Sequence, residues 1–495
     1  MAATGRSGAR ANRDLTQGNI RANLWFLGWP QIVSGAVNTV DQLADLFWAG
    51  FIGSRAVATV GVAQSWIVLF ITATMGLDTG ARAMVSRAIG AGDLAAANRI
   101  ARQSLFVSGA TALTVMGFGI VLSDFLLRLL GVTENMVEEG STYQRIRLAS
   151  AIFFTVNNGS GSLLQAGGDS LTPMKAQMLT RGIHFVLSPV LMFGWVGLPP
   201  MGISGSAVAN TVAQVAGAVV NLHALFTGVS RLQLTLKNPT FERGILAQQL
   251  KIGAPASYTS GERSLAQLIL TGLVAPFGPS ALALFVITQR VQMFGSFGAQ
   301  GLGQACGVIV GQNLGARQPA RARATVWWAL GYVFAMQGVL CTAMYLFPTV
   351  VVSLFSRETS VMDLAVPWLY VEIPAYLFLS LSNVLALMLN TAGDAVIPMV
   401  IGIVVVWGIQ QPVAHVLTGA FSSLGWSGLN WAVPSSWNLG VLGIPFATLS
   451  SSFVRIAALF VYFLKGRWGQ KELLGWSRVA VPADVDTAIA SASSR

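Results

Sequence analysis

Leu164-Gln165-Ala166-Gly167-Gly168-Asp169-Ser170-Leu171-Thr172-Pro173-Met174 returns 225 residues later as Leu389-Asn390-Thr391-Ala392-Gly393-Asp394-Ala395-Val396-Ile397-Pro398-Met399. Two further pairs keep that offset: residues 85–91 (VSRAIGA) with 310–316 (VGQNLGA), and Gly28-Trp29-Pro30 with Gly253-Ala254-Pro255. One register held at three separate places marks the duplication of a single half. A doubled membrane chain puts its working site where the halves meet.

The chain has 495 residues, of which 54% are hydrophobic and only 10% charged, with a mean hydropathy of +0.63. Soluble domains carry about 25% charged residues, so this composition belongs in a bilayer. Apolar runs of the roughly 20 residues needed to cross the hydrocarbon fall at 24–49, 56–80, 103–127, 143–165, 173–196, 203–227, 252–275, 281–308, 325–349, 364–390, 396–418 and 440–464. The expected fold is an all-α integral membrane protein of twelve transmembrane helices, in two six-helix lobes around a central cleft. Six is an even number, so the second copy enters the membrane in the same sense as the first and the repeat is parallel. The expected divisions are a tail at 1–20, an N-lobe at 21–229, a linker at 230–243, a C-lobe at 244–468 and a second tail at 469–495.

From a cytoplasmic N-terminus, the stretches on the inner side hold 22 Lys and Arg residues, Arg82, Lys175 and Arg181 counted among them, against Arg55, Arg128 and Arg357 outside. That bias places both termini in the cytoplasm of a multi-pass cell-membrane protein. It also accounts for the net charge of +11 without nucleic acid as a partner. The first 20 residues are polar and hold no cleavable signal sequence. Cys306 and Cys341 both lie in apolar runs, which offers neither a disulfide framework nor a metal site. The second copy gains about 13 residues near 421–438, with Trp426, Trp431 and Trp437 suited to an outer headgroup interface.

An ionisable side chain within the bilayer is a functional candidate. Glu262 lies eleven residues from Lys251, roughly 16 Å along a helix and near the midplane. Arg290 reaches a similar depth from Pro279, so a Glu262–Arg290 pair is expected. Asp45 falls in the outer half of the first helix. Asp78 and Arg82, spaced i,i+4, read as a helix-surface pair, and Arg455 as a side chain extending to the inner headgroups. Arg147 and Glu372 are related by the 225-residue offset and carry opposite charge, which suggests a gate that closes across the outer mouth. No HExxH, GxSxG or Walker motif is present, so the sequence reads as a transporter driven by an ion gradient and not as an enzyme.

Four stretches together resemble the multidrug and toxic compound extrusion (MATE) family, over about residues 20–465. They are Asp45-Leu46-Phe47-Trp48-Ala49-Gly50 followed by 56–61, Arg87-Ala88-Ile89-Gly90-Ala91-Gly92-Asp93, residues 165–173, and Pro199-Pro200-Met201-Gly202-Ile203-Ser204-Gly205. The resemblance implies an H⁺- or Na⁺-coupled antiporter that exports amphipathic organic cations by alternating access, with no other cofactor, acting as a monomer. It implies ion-coupling or substrate roles for Asp45 and Glu262. Where many members have an Asn and an Asp four residues apart in helix 5, this chain has His184 and Ser188. Coordination of Na⁺ by Asp45, Ser188 and Asn210 competes with proton uptake at a carboxylate or at His184. The alternative within the superfamily is a flippase for a lipid-linked saccharide or other anionic lipid, for which Arg145, Arg147, Arg290 and Arg455 would line the cavity.

Overall fold

The computed structural model describes residues 13–129, 134–228, 230–235, 241–355, 358–419, 439–471 and 473. The tryptophan-containing loop at 421–438 and the tail after 476 lie outside the described residues, as do Lys237 and Arg357. Helices account for nearly all of what is described, and it contains no strand. That is the expected solution in a bilayer, where every backbone amide must find its partner within its own segment.

Twelve spans follow in order. In the N-lobe these are α1 (Ile20–Ile52), α2 (Ser54–Gly90), α3 (Leu94–Leu129), α4 in two segments (Glu134–Ala149 and Ala151–Ala166), α5 (Leu171–Phe193) and α6 (Ile203–Thr227). In the C-lobe these are α7 (Arg243–Val274), α8 (Pro279–Gly315), α9 (Pro319–Leu346), α10 (Thr359–Thr391), α11 and α12 (Gly443–Lys465). α11 runs Val396–Val405 and Gln411–Thr418 around a π turn at Val406–Gln410. Among the described residues only six of the twelve pass a simple test of length and hydropathy: α3, α6, α9, α10, α11 and α12. α4 falls short because each of its two segments is 16 residues long, and the other five carry the polar and small residues of the seam and the sites, which dilutes their apolar signal. The apolar window of α3 is only 17% buried within the protein and that of α10 is 56%. The outward face of α3, with Phe118, Val121 and Phe125 exposed, therefore needs lipid as its partner.

The duplication extends to backbone conformation. Gly168 and Gly393 both adopt positive φ (96° and 89°), and Asp169 N and Asp394 N donate to Leu164 O and Leu389 O at 3.0 and 2.9 Å. After α2 and α8 the left-handed residues are Gly92 and Arg317, so the second copy keeps the turn after losing its glycine. A non-glycine residue there costs about 1–2 kcal/mol. Gly194 and Gly419, both at φ 73°, end α5 and α11 and keep the 225-residue offset. Gly228 and Gly466, both at φ 71°, end α6 and α12 and lie 238 apart. The thirteen-residue gain therefore falls between α11 and α12.

The lobes meet along α1 and α2 of one half and α7 and α8 of the other. Their recorded contacts gather at the end that carries the start of α1. The repeated 85–91 and 310–316 stretches face each other there. A Cβ on Gly90 would run into the carbonyl oxygen of Gln312, and one on Gly315 into that of Arg87. Gly90 and Gly315 are repeat partners, as are Arg87 and Gln312, so this seal has a pseudo-twofold axis. Arg87 Nη2 donates to Ala392 O at 3.0 Å, while Gln312 Nε2 donates to Ala166 O at 2.9 Å. Deeper along the seam a Cβ on Gly253 would lie 2.7 Å from Gly76 O, and one on Gly301 2.7 Å from Ile32 N.

Arg82 belongs to this seam, which corrects its reading as half of a surface pair. Its Nη1 donates to Gln304 of α8 at 3.0 Å and its Nε to Ser162 at 3.0 Å, and Asp78 is buried near Ser108. The segment after α12 straps the same end. Lys471 and Tyr462 both donate to Asp394, Arg87 Nη1 donates to Lys471 O at 2.8 Å, and Leu473 is buried in the N-lobe core. In the N-lobe the equivalent carboxylate, Asp169, instead caps its own helix through Thr172.

Candidate functional site: a polar cavity in the C-lobe

All six helices of the C-lobe line a cavity of about 300 Å³, α9 through Gln337 alone. α7 contributes Glu262, Arg263, Ala266 and Gln267, α8 contributes Gln289, Gln292 and Gln300, and α10 contributes Glu372, Tyr376 and Asn383. α11 adds Gly402, Val406 and Gln410, and α12 adds Ser451, Ser452 and Arg455. A wall of amides and hydroxyls with two carboxylates and two guanidinium groups suits a polar or charged ligand. Phe285 and Tyr376 supply aromatic surface.

Two of the four charges are engaged. Trp368 Nε1 donates to Glu372, and Arg263 Nη2 donates to Asn383 Oδ1 at 2.9 Å. Glu262 is only 6% exposed. Its Oε2 lies 3.2 Å from where a Cβ on Gly402 would stand, so the absence of a side chain at 402 lets α11 approach the carboxylate. The Trp407 indole, on the π turn of α11, is within hydrogen-bonding reach of Glu262, and Arg455 and Arg263 are its cationic neighbours. Single π turns recur at functional positions because they re-aim side chains within an otherwise regular helix. Glu262 Oε1 has no hydrogen-bond partner among the described residues.

The N-lobe is built differently. Asp41 of α1 is buried between two groups of α5: it accepts from Arg181 Nη1 at 2.7 Å and contacts His184 Nδ1 at 2.7 Å. The repeat partners of Asp41, Arg181 and His184 are Ala266, Val406 and Ile409, and Ala266 and Val406 line the C-lobe cavity. The space that stands open in one lobe is filled by an ion network in the other. Elsewhere in the N-lobe, between α2, α3, α4 and α6, a pocket of about 20 Å³ touches Arg147, Thr155 and Asn210, room for about one water molecule.

Several sequence expectations are corrected by this geometry. Arg290 is half-buried on α8, does not line the cavity and forms no ion pair with Glu262 among the described residues. Helical depth is readable from sequence, whereas the face a residue takes in a packed bundle is not. Arg147 and Glu372 lie in the pockets of different lobes and stand apart in this conformation, while the expected gate concerns a closed outer mouth. Ser188 turns its hydroxyl toward Met192 Sδ at 3.4 Å on its own helix, apart from the pocket that holds Asn210. Arg181, counted with the inner loops, is ten residues into α5, and Arg455 is 7% exposed in the cavity wall and does not extend to headgroups. Asp45 lies on α1, with its side chain outside the described residues.

Asp41 was missed altogether. The available signal was its spacing: it precedes Asp45 by four residues, one helical turn on the same face.

A sequence model of one family, described as MatE, matches residues 30–190 and again 255–416, the two halves of the repeat. The chain is 26% identical over 393 residues to a Bacillus subtilis protein named "Probable multidrug resistance protein YoeA", covering 79% of this chain and 85% of that one. It is 24% identical over 470 residues to "Probable multidrug resistance protein NorM" of Thermotoga maritima, covering 93% and 96%. Among solved structures, one described as the outward-facing conformation of a multidrug resistance MATE family transporter superposes with a TM-score of 0.81 at 23% identity. It covers 92% of this chain and 96% of that one.

Proposed function

The chain belongs to the MatE family, and on that premise we propose that it is an ion-coupled antiporter exporting amphipathic organic cations by alternating access. The observation that carries this reading is Glu262: a buried carboxylate with one unspent oxygen, on the wall of a cavity large enough for a small organic molecule. A cation entering the cavity and a proton compete for the same carboxylate, which is the minimal arrangement for exchange. The lobes are sealed at the end bearing the start of α1, so with cytoplasmic termini the conformation faces outward. Export then needs the glycine seam to open and the far end to close.

For the coupling ion we favour H⁺. Glu262 and the Asp41–His184 contact are proton-accepting groups, and Ser188 and Asn210 do not converge on one point as Na⁺ coordination by oxygens would require. The flippase alternative draws less support. Of its four arginines, Arg145 is paired with Asp124 at 2.9 Å and Arg455 alone lines the large cavity.

The test is efflux of ethidium from vesicles holding the intact protein, under an imposed pH gradient or an imposed Na⁺ gradient. The proposal expects acceleration by the pH gradient, accompanied by proton movement in the opposite sense. Acceleration by Na⁺ alone would transfer the coupling role to that ion, and no response to either gradient would remove the antiport reading.

A further inference from the structure

Arg455 has Glu262 as a neighbouring counter-charge but no direct ion pair with it among the described residues. Its Nε is buried with no hydrogen-bond partner among the described residues, and both side chains border the same cavity. A guanidinium group inside a membrane protein is costly unless paired.

The duplication shows that the fold does not need it. Following the 238-residue offset of α6 and α12, the N-lobe equivalent of Arg455 is Gly217, packed so closely that a Cβ would lie 2.8 Å from Asn157 Nδ2. The equivalent of Glu262 is Val37. Both charges are thus absent from the equivalent N-lobe positions; they are neighbours of opposite sign that form no direct ion pair among the described residues.

We propose that Arg455 is a specificity-determining residue which, with Glu262, forms a dipolar subsite, so that the preferred cargo carries an anionic group as well as its cationic centre. The inference rests on the reading above that this cavity holds the cargo. An ammonium group on the cargo takes the unspent oxygen of Glu262. A carboxylate or phosphate takes the guanidinium fork of Arg455, whose planar donors match those oxygens. Each charge then gains a partner from the cargo, and the cavity favours such compounds over cations that satisfy Glu262 alone. Arg263 does not duplicate this role, because it is held by Asn383. The amide-rich wall accommodates the neutral polar parts of such a molecule.

The test compares binding of two fluorescent probes to the purified full chain, Nε-dansyl-lysine and its methyl ester, at about pH 5.5, where the α-ammonium of both is protonated and they differ only in the carboxylate. Energy transfer from tryptophan reports occupancy. The zwitterion should bind about tenfold tighter than the ester, as a charge-assisted hydrogen bond of this kind allows. Arg455→Gln should erase the difference by weakening the zwitterion alone, and Arg455→Lys should restore part of it. Equal affinity for both probes in the unaltered protein would overturn the subsite, and so would equal weakening of both by Arg455→Gln. A probe preference that persists while neither ion gradient drives efflux supports the subsite and overturns the export reading instead.

Discussion

Glu262→Gln should abolish gradient-driven export while the protein stays folded. The substitution keeps the shape and an oxygen facing the Trp407 indole but removes the charge and the proton site, so cation and proton no longer compete. Coupling free energies of 1–3 kcal/mol correspond to roughly 5–150-fold, and the loss should lie near the upper end, about 100-fold in efflux rate. Burial makes the isosteric change mild for stability, since a buried carboxylate with an unspent oxygen contributes little to the fold. The measurement is the initial efflux rate with and without the gradient, alongside thermal unfolding in detergent. Efflux that keeps its gradient dependence in Glu262→Gln would move coupling to the Asp41–Arg181–His184 network. Gly402→Ala should give a weaker version of the same defect, because a methyl group there displaces the carboxylate without removing it.

The second large effect is expected at the seam. Gly90→Val and Gly315→Val each drive a side chain into a backbone carbonyl of the opposite lobe, where no rotamer gives relief. Overpacking of this kind costs about 1–3 kcal/mol per site. The pseudo-twofold partners act on one equilibrium, so the double substitution moves the population away from the sealed conformation by roughly tenfold per 1.4 kcal/mol. Transport should fall to the vesicle background in the double variant, with intermediate values in the singles. Gly272→Val on α7, where nothing lies within 4 Å of the added Cβ, serves as control and should transport normally. Normal transport by Gly90→Val/Gly315→Val would show that the seam does not have to close.

The repeat was legible because it is written in turn chemistry. Glycine at positive φ and the following aspartate are local requirements, so the Gly168 and Gly393 turns could be aligned without knowledge of packing. The exception, Arg317 at the position of Gly92, came from the backbone conformation and not from the sequence. Azimuth within the bundle was not legible. Glu262 and Arg290 share a depth and face different surroundings, and Arg181 looks like an inner-loop charge until α5 is seen to begin at Leu171. The asymmetry between lobes was visible in outline, since Glu262 aligns with Val37. Its meaning was not, because Asp41 and Arg181 fill a volume that only the packed structure reveals to be the counterpart of the C-lobe cavity.

A polar cavity exposed to one side of the membrane at a time is the central claim, and a single cysteine can test it. Gln300 lines the cavity and is solvent-exposed, whereas the native Cys306 and Cys341 are buried and can be replaced. A membrane-impermeant maleimide should label Gln300→Cys from the outer side in the resting protein. It should label from the inner side only when a pH gradient and ethidium drive the cycle, with outer labelling falling in step. Equal labelling from both sides at rest would contradict the account and describe a channel.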